Sequence, residues 1–143
     1  MQLSGLRRRF RPLLEVLEDR SVPSFLPAVS YPVGANPAAL AVGDFNNSGR
    51  DGLVVANAGD NDVSVFLGGP GGALQPVGTY AVGAGPHTVA VGDFNGDGKP
   101  DIVTANQDDV SVLLGNGDGT FQPARTFALP QVQDNGGMRP QSP

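Results

Sequence analysis

The residues able to do chemistry gather in two short loops that start 49 positions apart, at Asp44 and Asp93. The second reads Asp93-Phe94-Asn95-Gly96-Asp97-Gly98-Lys99-Pro100-Asp101, with oxygen side chains at loop positions 1, 3, 5 and 9 and glycine at position 6. A short backbone wraps a hard cation such as calcium in this way. Asp93, Asn95, Asp97 and Asp101 are the candidate side-chain ligands, and Lys99 offers its carbonyl. Gly98 is expected at positive φ, where the turn is sharpest. Three carboxylates in nine residues repel one another unless a cation lies between them. A metal-free turn held by Asp and Asn side chains is the competing reading.

The first loop, Asp44-Phe45-Asn46-Asn47-Ser48-Gly49-Arg50-Asp51-Gly52, is poorer. Asp44, Asn46, Ser48 and the Arg50 carbonyl align with ligands, but position 9 is Gly52. Asp51 falls one residue early. One carboxylate stands where the second loop has three, so weaker calcium binding is expected. Gly115–Gly119 also resembles a cation loop, through Asn116 and Asp118. Its counterpart, Gly68-Gly69-Pro70-Gly71-Gly72, has no oxygen side chain, so a shared hairpin turn accounts for both. His87 is the single histidine and aligns with Ala38 in a loop, which makes it a surface or packing residue. A hydrolytic set drawn from His87 with Ser111 or Thr88 has no nucleophile motif behind it. Phe45 and Phe94 recur between candidate ligands and are expected to anchor both loops to the core.

These loops need strands to hold them. Tyr31–Gly43 aligns with Tyr80–Gly92, Leu53–Asn57 with Ile102–Asn106, Asp62–Gly68 with Asp109–Gly115, and Leu74–Tyr80 with Phe121–Phe127. The chain is therefore a tandem repeat. Strands are expected at 39–45, 53–57, 63–67 and 77–82, then at 88–94, 102–106, 110–114 and 124–129. Several are apolar throughout, as strands covered on both faces are. Four short antiparallel strands per 40–50 residues is the arithmetic of a β-propeller blade. The expected architecture is all-β: two four-stranded antiparallel blades of an incomplete propeller, repeat 1 over 25–79 and repeat 2 over 80–129. Residues 1–24 form a basic, targeting-like or disordered head. Residues 130–143, rich in Gln, Gly, Pro and Asn, form a disordered tail.

Composition fits this reading. Glycine (21) and proline (13) make up about a quarter of the 143 residues, punctuating regularly spaced apolar runs. Five of the nine basic residues, Arg7, Arg8, Arg9, Arg11 and Arg20, lie in the head. From residue 21 onward the formal charge is −7, carried by aspartate alone, which argues against nucleic acid as a partner. Without cysteine there are no disulfides or thiolate metal sites. No apolar stretch is long enough for a membrane-spanning helix. Acids after Arg11 interrupt any apolar core of a usual signal peptide.

The run Val91–Val103, followed by Val110–Phe121, resembles the bacterial FG-GAP/VCBS repeat, a group similar to the calcium-bearing blades of integrin α-chains. The resemblance covers about residues 28–129 and implies an extracellular propeller blade with a calcium-binding hairpin loop. The head from Arg9 to Ser24 resembles an N-terminal segment of large bacterial surface proteins, which implies export. The expected function is a non-enzymatic calcium-binding module of a secreted or cell-surface protein, structural or adhesive. An adhesive propeller would offer inter-blade loops such as 83–88 to an extracellular protein or glycan. The alternative is an accessory propeller of a secreted carbohydrate-active hydrolase. Two blades do not close a ring of about four to eight. The chain is therefore expected either to be a piece of a longer protein or to be completed by other blades or chains, with sheet faces exposed.

Overall fold

The computed structural model describes residues 27–131. The expected head at 1–24 and nearly all of the expected tail lie outside that range. Residues 27–32 fall in a separate unit that ends at Pro32, and they carry no strand. Both sheets lie in the unit that begins at Val33.

The first sheet is a meander of β1 (Pro37–Gly43), β2 (Gly52–Asn57), β3 (Asp62–Gly68) and β4 (Leu74–Ala81), with a short 3-10 turn at Pro70–Gly72 before β4. The second repeats it with β5 (Thr88–Gly92), β6 (Asp101–Ala105), β7 (Asp109–Leu113) and β8 (Arg125–Ala128). All pairings are antiparallel. This is the expected pair of four-stranded blades. The expected strands agree to within one to three residues. The largest difference is β4, which begins at Leu74 and passes through Pro76. Proline is tolerated there because β4 is an edge strand, and Val77 bulges out of register opposite Val65 and Phe66. Among the described residues no helix is long and apolar enough to cross a membrane.

β2 and β3 are buried along most of their length, whereas β1 and β4 are only partly covered and β8 is exposed throughout, which explains why β2 reads as a nearly continuous apolar run. The core lies between the two sheets. Phe45, Val54, Ala56, Val63 and Val65 of the first blade meet Val89, Ile102, Leu113 and Phe121 of the second. Phe121 is set edge-on to both Phe45 and Tyr80, each with centroids 5.5 Å apart. Hydrogen bonds fasten the joint: Gly119 N–H donates to the Phe45 carbonyl at 3.1 Å, and Gly85 N–H to the Asn61 side-chain Oδ1 at 2.9 Å.

One expectation is corrected here. Phe45 does anchor its loop, at 2 % exposure, but Phe94 is 54 % exposed. Both rings lie over the equivalent glycine, Gly43 or Gly92. The difference is the cover: Phe121 of the second blade closes over Phe45, and no described residue does the same for Phe94.

Each blade also contains a buried polar knot that the sequence reading did not single out. Asn106 Nδ2 donates to Asp109 Oδ1 and to Ser111 Oγ at 2.6 and 2.9 Å. Asn57 makes the same bonds to Asp62 and Ser64, at 2.7 and 2.9 Å. The available signal was the recurrence of Asn, Asp and Ser at fixed places in both repeats. The knots differ at one atom. Thr104 Oγ1 donates to Asn106 Oδ1 at 2.8 Å, whereas Val55 holds that register position in the first blade and Asn57 Oδ1 has no donor. Val55→Thr should supply the missing hydroxyl and stabilise the fold by about 1 kcal/mol. Thermal denaturation would show a raised midpoint, and a lowered one would mean that the lost apolar contact outweighs the new bond.

Candidate metal centre

The second loop joins β5 to β6, and the two strands clamp its ends: Gly92 pairs with Asp101 in the last rung of the ladder. The first loop joins β1 to β2 in the same way, with Gly43 opposite Gly52. Each loop then turns through two left-handed residues, Asn47 and Gly49 (φ 57° and 80°) or Gly96 and Gly98 (φ 75° and 81°). That path suits glycine and tolerates asparagine.

The first aspartate of each loop holds this path. Asp93 accepts the N–H groups of Asp97 and Gly98 at 3.1 and 2.7 Å. Asp44 accepts those of Ser48 and Gly49 at 2.9 and 2.6 Å. These bonds favour the ionised carboxylates. Asp93 is held below the usual carboxylate range, chiefly by the Gly98 N–H, and Asp44 chiefly by the Ser48 N–H.

In the second loop, carboxylate oxygens of Asp93, Asp97 and Asp101 lie within 4.8 Å of one another. Calcium takes oxygens at about 2.4 Å, so ligands on opposite sides of the ion are about 4.8 Å apart. The three acids therefore fit around one such ion. Asp93 and Asp97 are exposed and Asp101 is fully buried. Asn95 and Lys99 lie on the exposed bend between them, and Lys99 N–H donates to Asp97 Oδ1 at 2.9 Å.

Asp101 has a second role that spacing did not reveal. Its Oδ2 accepts the Phe94 N–H at 2.9 Å and its Oδ1 the Gly115 N–H at 2.8 Å, tying the loop to the far end of β7. Each oxygen keeps a lone pair beyond these bonds.

The first loop gathers less. Asp44 and Ser48 meet, with Ser48 Oγ 3.4 Å from Asp44 Oδ1, and Arg50 N–H reaches Ser48 Oγ at 3.3 Å. Asn46 Oδ1 is buried with no donor, an acceptor that a cation or a water would satisfy. Gly52 occupies the position of Asp101, and a Cβ there would run into the Phe66 carbonyl oxygen. Asp51 is exposed just before β2. No cluster of three acids forms in this loop.

The remaining candidates make local hydrogen bonds. Asn116 and Asp118 close the β7–β8 connection as a turn: Asn116 N–H donates to the Thr120 carbonyl at 2.9 Å, and Thr120 N–H to Asp118 Oδ1 at 3.0 Å. The Thr120 hydroxyl and then its N–H hold Asp118 below the usual carboxylate range. Its charged form therefore favours folding above about pH 4, and that contribution is lost as pH falls through the lowered folded value. Asp118→Asn should lower the melting midpoint at pH 7, with the gap from wild type closing as pH falls through the lowered folded value. His87 lies exposed, with Nδ1 3.2 Å from Thr88 Oγ1 and Nε2 3.2 Å from the Asn106 carbonyl. Loop 83–88 is tied down by Gly83 N–H to Ser111 Oγ at 3.0 Å. A groove between the outer strands is lined by Tyr80, Ala81, Val82, Pro123, Ala124 and Thr126, none of them charged.

A family model described as FG-GAP-like repeat matches residues 44–104 and 93–141. No curated protein matches the sequence. Among solved structures, a chain of "Crystal structure of BBS1N in complex with ARL6DN, soaked with lead" is similar in fold, with TM-score 0.51 and 16% identity. The match covers 72% of this chain and 29% of that one, so the present chain spans less than a third of the neighbour's length.

Proposed function

Because this chain belongs to the FG-GAP-like repeat family, we propose that it is a calcium-binding, non-enzymatic β-propeller module of a secreted or cell-surface bacterial protein. Its role is structural or adhesive. The observation that carries the calcium reading is the meeting of Asp93, Asp97 and Asp101 within 4.8 Å on one tight bend. Asn95 and the Lys99 carbonyl complete the proposed ligand set.

A bound calcium ion would supply positive charge where three acids crowd. Asp93 holds the left-handed turn, Asp101 ties that turn to the neighbouring hairpin, and Asp97 closes the exposed side. The ion would therefore stiffen the strand pair β5–β6. Two of the three acids are open to water, which suits a site of modest affinity. Such sites fill at the millimolar calcium found outside cells, and this supports the extracellular reading. The first loop, with Asp44, Asn46, Ser48 and the Arg50 carbonyl, is a weaker site on the same plan.

Calorimetric titration of calcium tests this. Wild type should give one dominant binding event. Asp97→Ala should abolish it while leaving the fold intact, because Asp97 is exposed. Asp44→Ala should leave it nearly unchanged. Equal heats for wild type and Asp97→Ala would remove the second loop as a calcium site.

A further inference from the structure

The joint between the two blades is built from surfaces that recur, uncovered, at the two ends of the array. On the first blade, the face turned toward the second carries Phe45, Val54, Ala56, Val63 and Val65, none more than 2 % exposed, with Tyr80 beside them. The same positions of the second blade hold Phe94, Val103, Ala105, Val110, Val112 and Phe127. Phe94 and Phe127 are 54 % and 56 % exposed. The matching is structural as well as sequential. Tyr80 pairs with Val63 across β3–β4 as Phe127 pairs with Val110 across β7–β8. Phe94 lies over Gly92 as Phe45 lies over Gly43. The two aromatic rings that clasp Phe121 within the chain therefore have copies on the second blade, already in position.

The opposite face of the first blade offers the complement. Leu40 and Val42 are 64 % and 58 % exposed. Their counterparts in the second blade are Val89, 8 % exposed, and Val91, whose Cγ1 lies against Gly43 of the first blade. Leu74 stands at the place of Phe121. One end of the array thus has the receiving surface of the joint, and the other end has the inserting surface.

We propose that the Phe94–Phe127 face of one chain docks the Leu40–Val42 face of a second copy, head to tail, repeating the joint seen inside the chain. Such an interface is heterologous. Repeated with the same rotation it closes a ring, and built from the two described blades alone a ring of about four to eight blades takes two to four copies. The proposal rests on the blade fold and not on calcium.

Sedimentation of the full chain over a range of concentrations tests it, in calcium and in chelator. Wild type should sediment as more than one chain in both. Phe94→Glu and Leu40→Glu place a charge on exposed positions at opposite ends, and each should sediment as a single chain. Mixed, they should form a dimer of one of each that grows no further, because each variant keeps one intact surface. That rescue also shows that both variants are folded. A wild-type monomer at all concentrations would overturn the proposal. So would self-association of Leu40→Glu alone, which means pairing of two Phe94–Phe127 faces, or a mixture that stays monomeric. Assembly that persists in chelator alongside failed calcium titration would reject the metal reading and leave this one standing.

Discussion

Phe121→Ala is expected to lower the stability of the array by about 3–5 kcal/mol, the usual cost of truncating a buried phenylalanine. The ring is 6 % exposed and meets Phe45 and Tyr80 edge-on at interplanar angles of 74° and 79°. No other residue touches both aromatic partners in this way among the described contacts. A repeat array is stabilised by each unit and by the coupling between neighbours. The described residues hold two units and one joint between them, so the loss falls on a single coupling term. Against a total stability of about 5–15 kcal/mol, the variant should melt on the order of 10–20 °C lower. The transition should also broaden as the blades uncouple. Phe121→Leu, which copies the first-blade residue Leu74, should lose less. An unchanged midpoint for Phe121→Ala would mean that the aromatic clasp does not hold the blades together.

The strands were legible because two copies aligned and each repeated the same apolar runs between glycines. Positive φ at Gly98 was legible from the sharp bend required there, whereas the left-handed Asn47, Gly49 and Gly96 were not singled out. The fate of Phe94 was not legible. Phe45 and Phe94 have the same neighbours in sequence, and burial depends on which blade covers the ring. The Asn57 and Asn106 knots were overlooked because Asn, Asp and Ser beside a connector read as turn residues, whereas here they hydrogen-bond inside the sheet. The strand expected from Val77 begins at Leu74, because a proline such as Pro76 is tolerated in an edge strand carrying a bulge. At the candidate metal centre, spacing marked Asp101 as a candidate ligand. It gave no sign that Asp101 also bonds Gly115, fourteen residues away, because that contact depends on how β7 pairs with β6.

This double role makes Asp101 the most informative residue of the loop. Its carboxylate is fully buried and accepts two backbone N–H groups. Asparagine can accept one of them, and its NH2 would face the other. Leaving a buried donor unmade costs about 1–3 kcal/mol. Asp101→Asn should therefore melt below wild type even in chelator. Asp97→Ala should melt close to wild type in chelator, because exposed Asp97 holds only the Lys99 N–H. Calcium separates the two roles. An ion that binds only the folded chain stabilises it by about 2.7 kcal/mol at a hundredfold excess over Kd. Wild type should gain that increment, and both variants should lack it. Asp101→Asn thus loses two contributions and Asp97→Ala one. If Asp101→Asn matched wild type in chelator, the tie to Gly115 would carry no stability. If both variants kept the calcium increment, the ion would have to bind elsewhere. The first loop bears on the outcome, since it adopts the same turn with Asp44 as its one aligned aspartate and with glycine in place of Asp101. The turn itself therefore forms without the full acid set; beyond it, Asp101 adds the tie to Gly115, and Asp97 adds a carboxylate that holds only the Lys99 N–H.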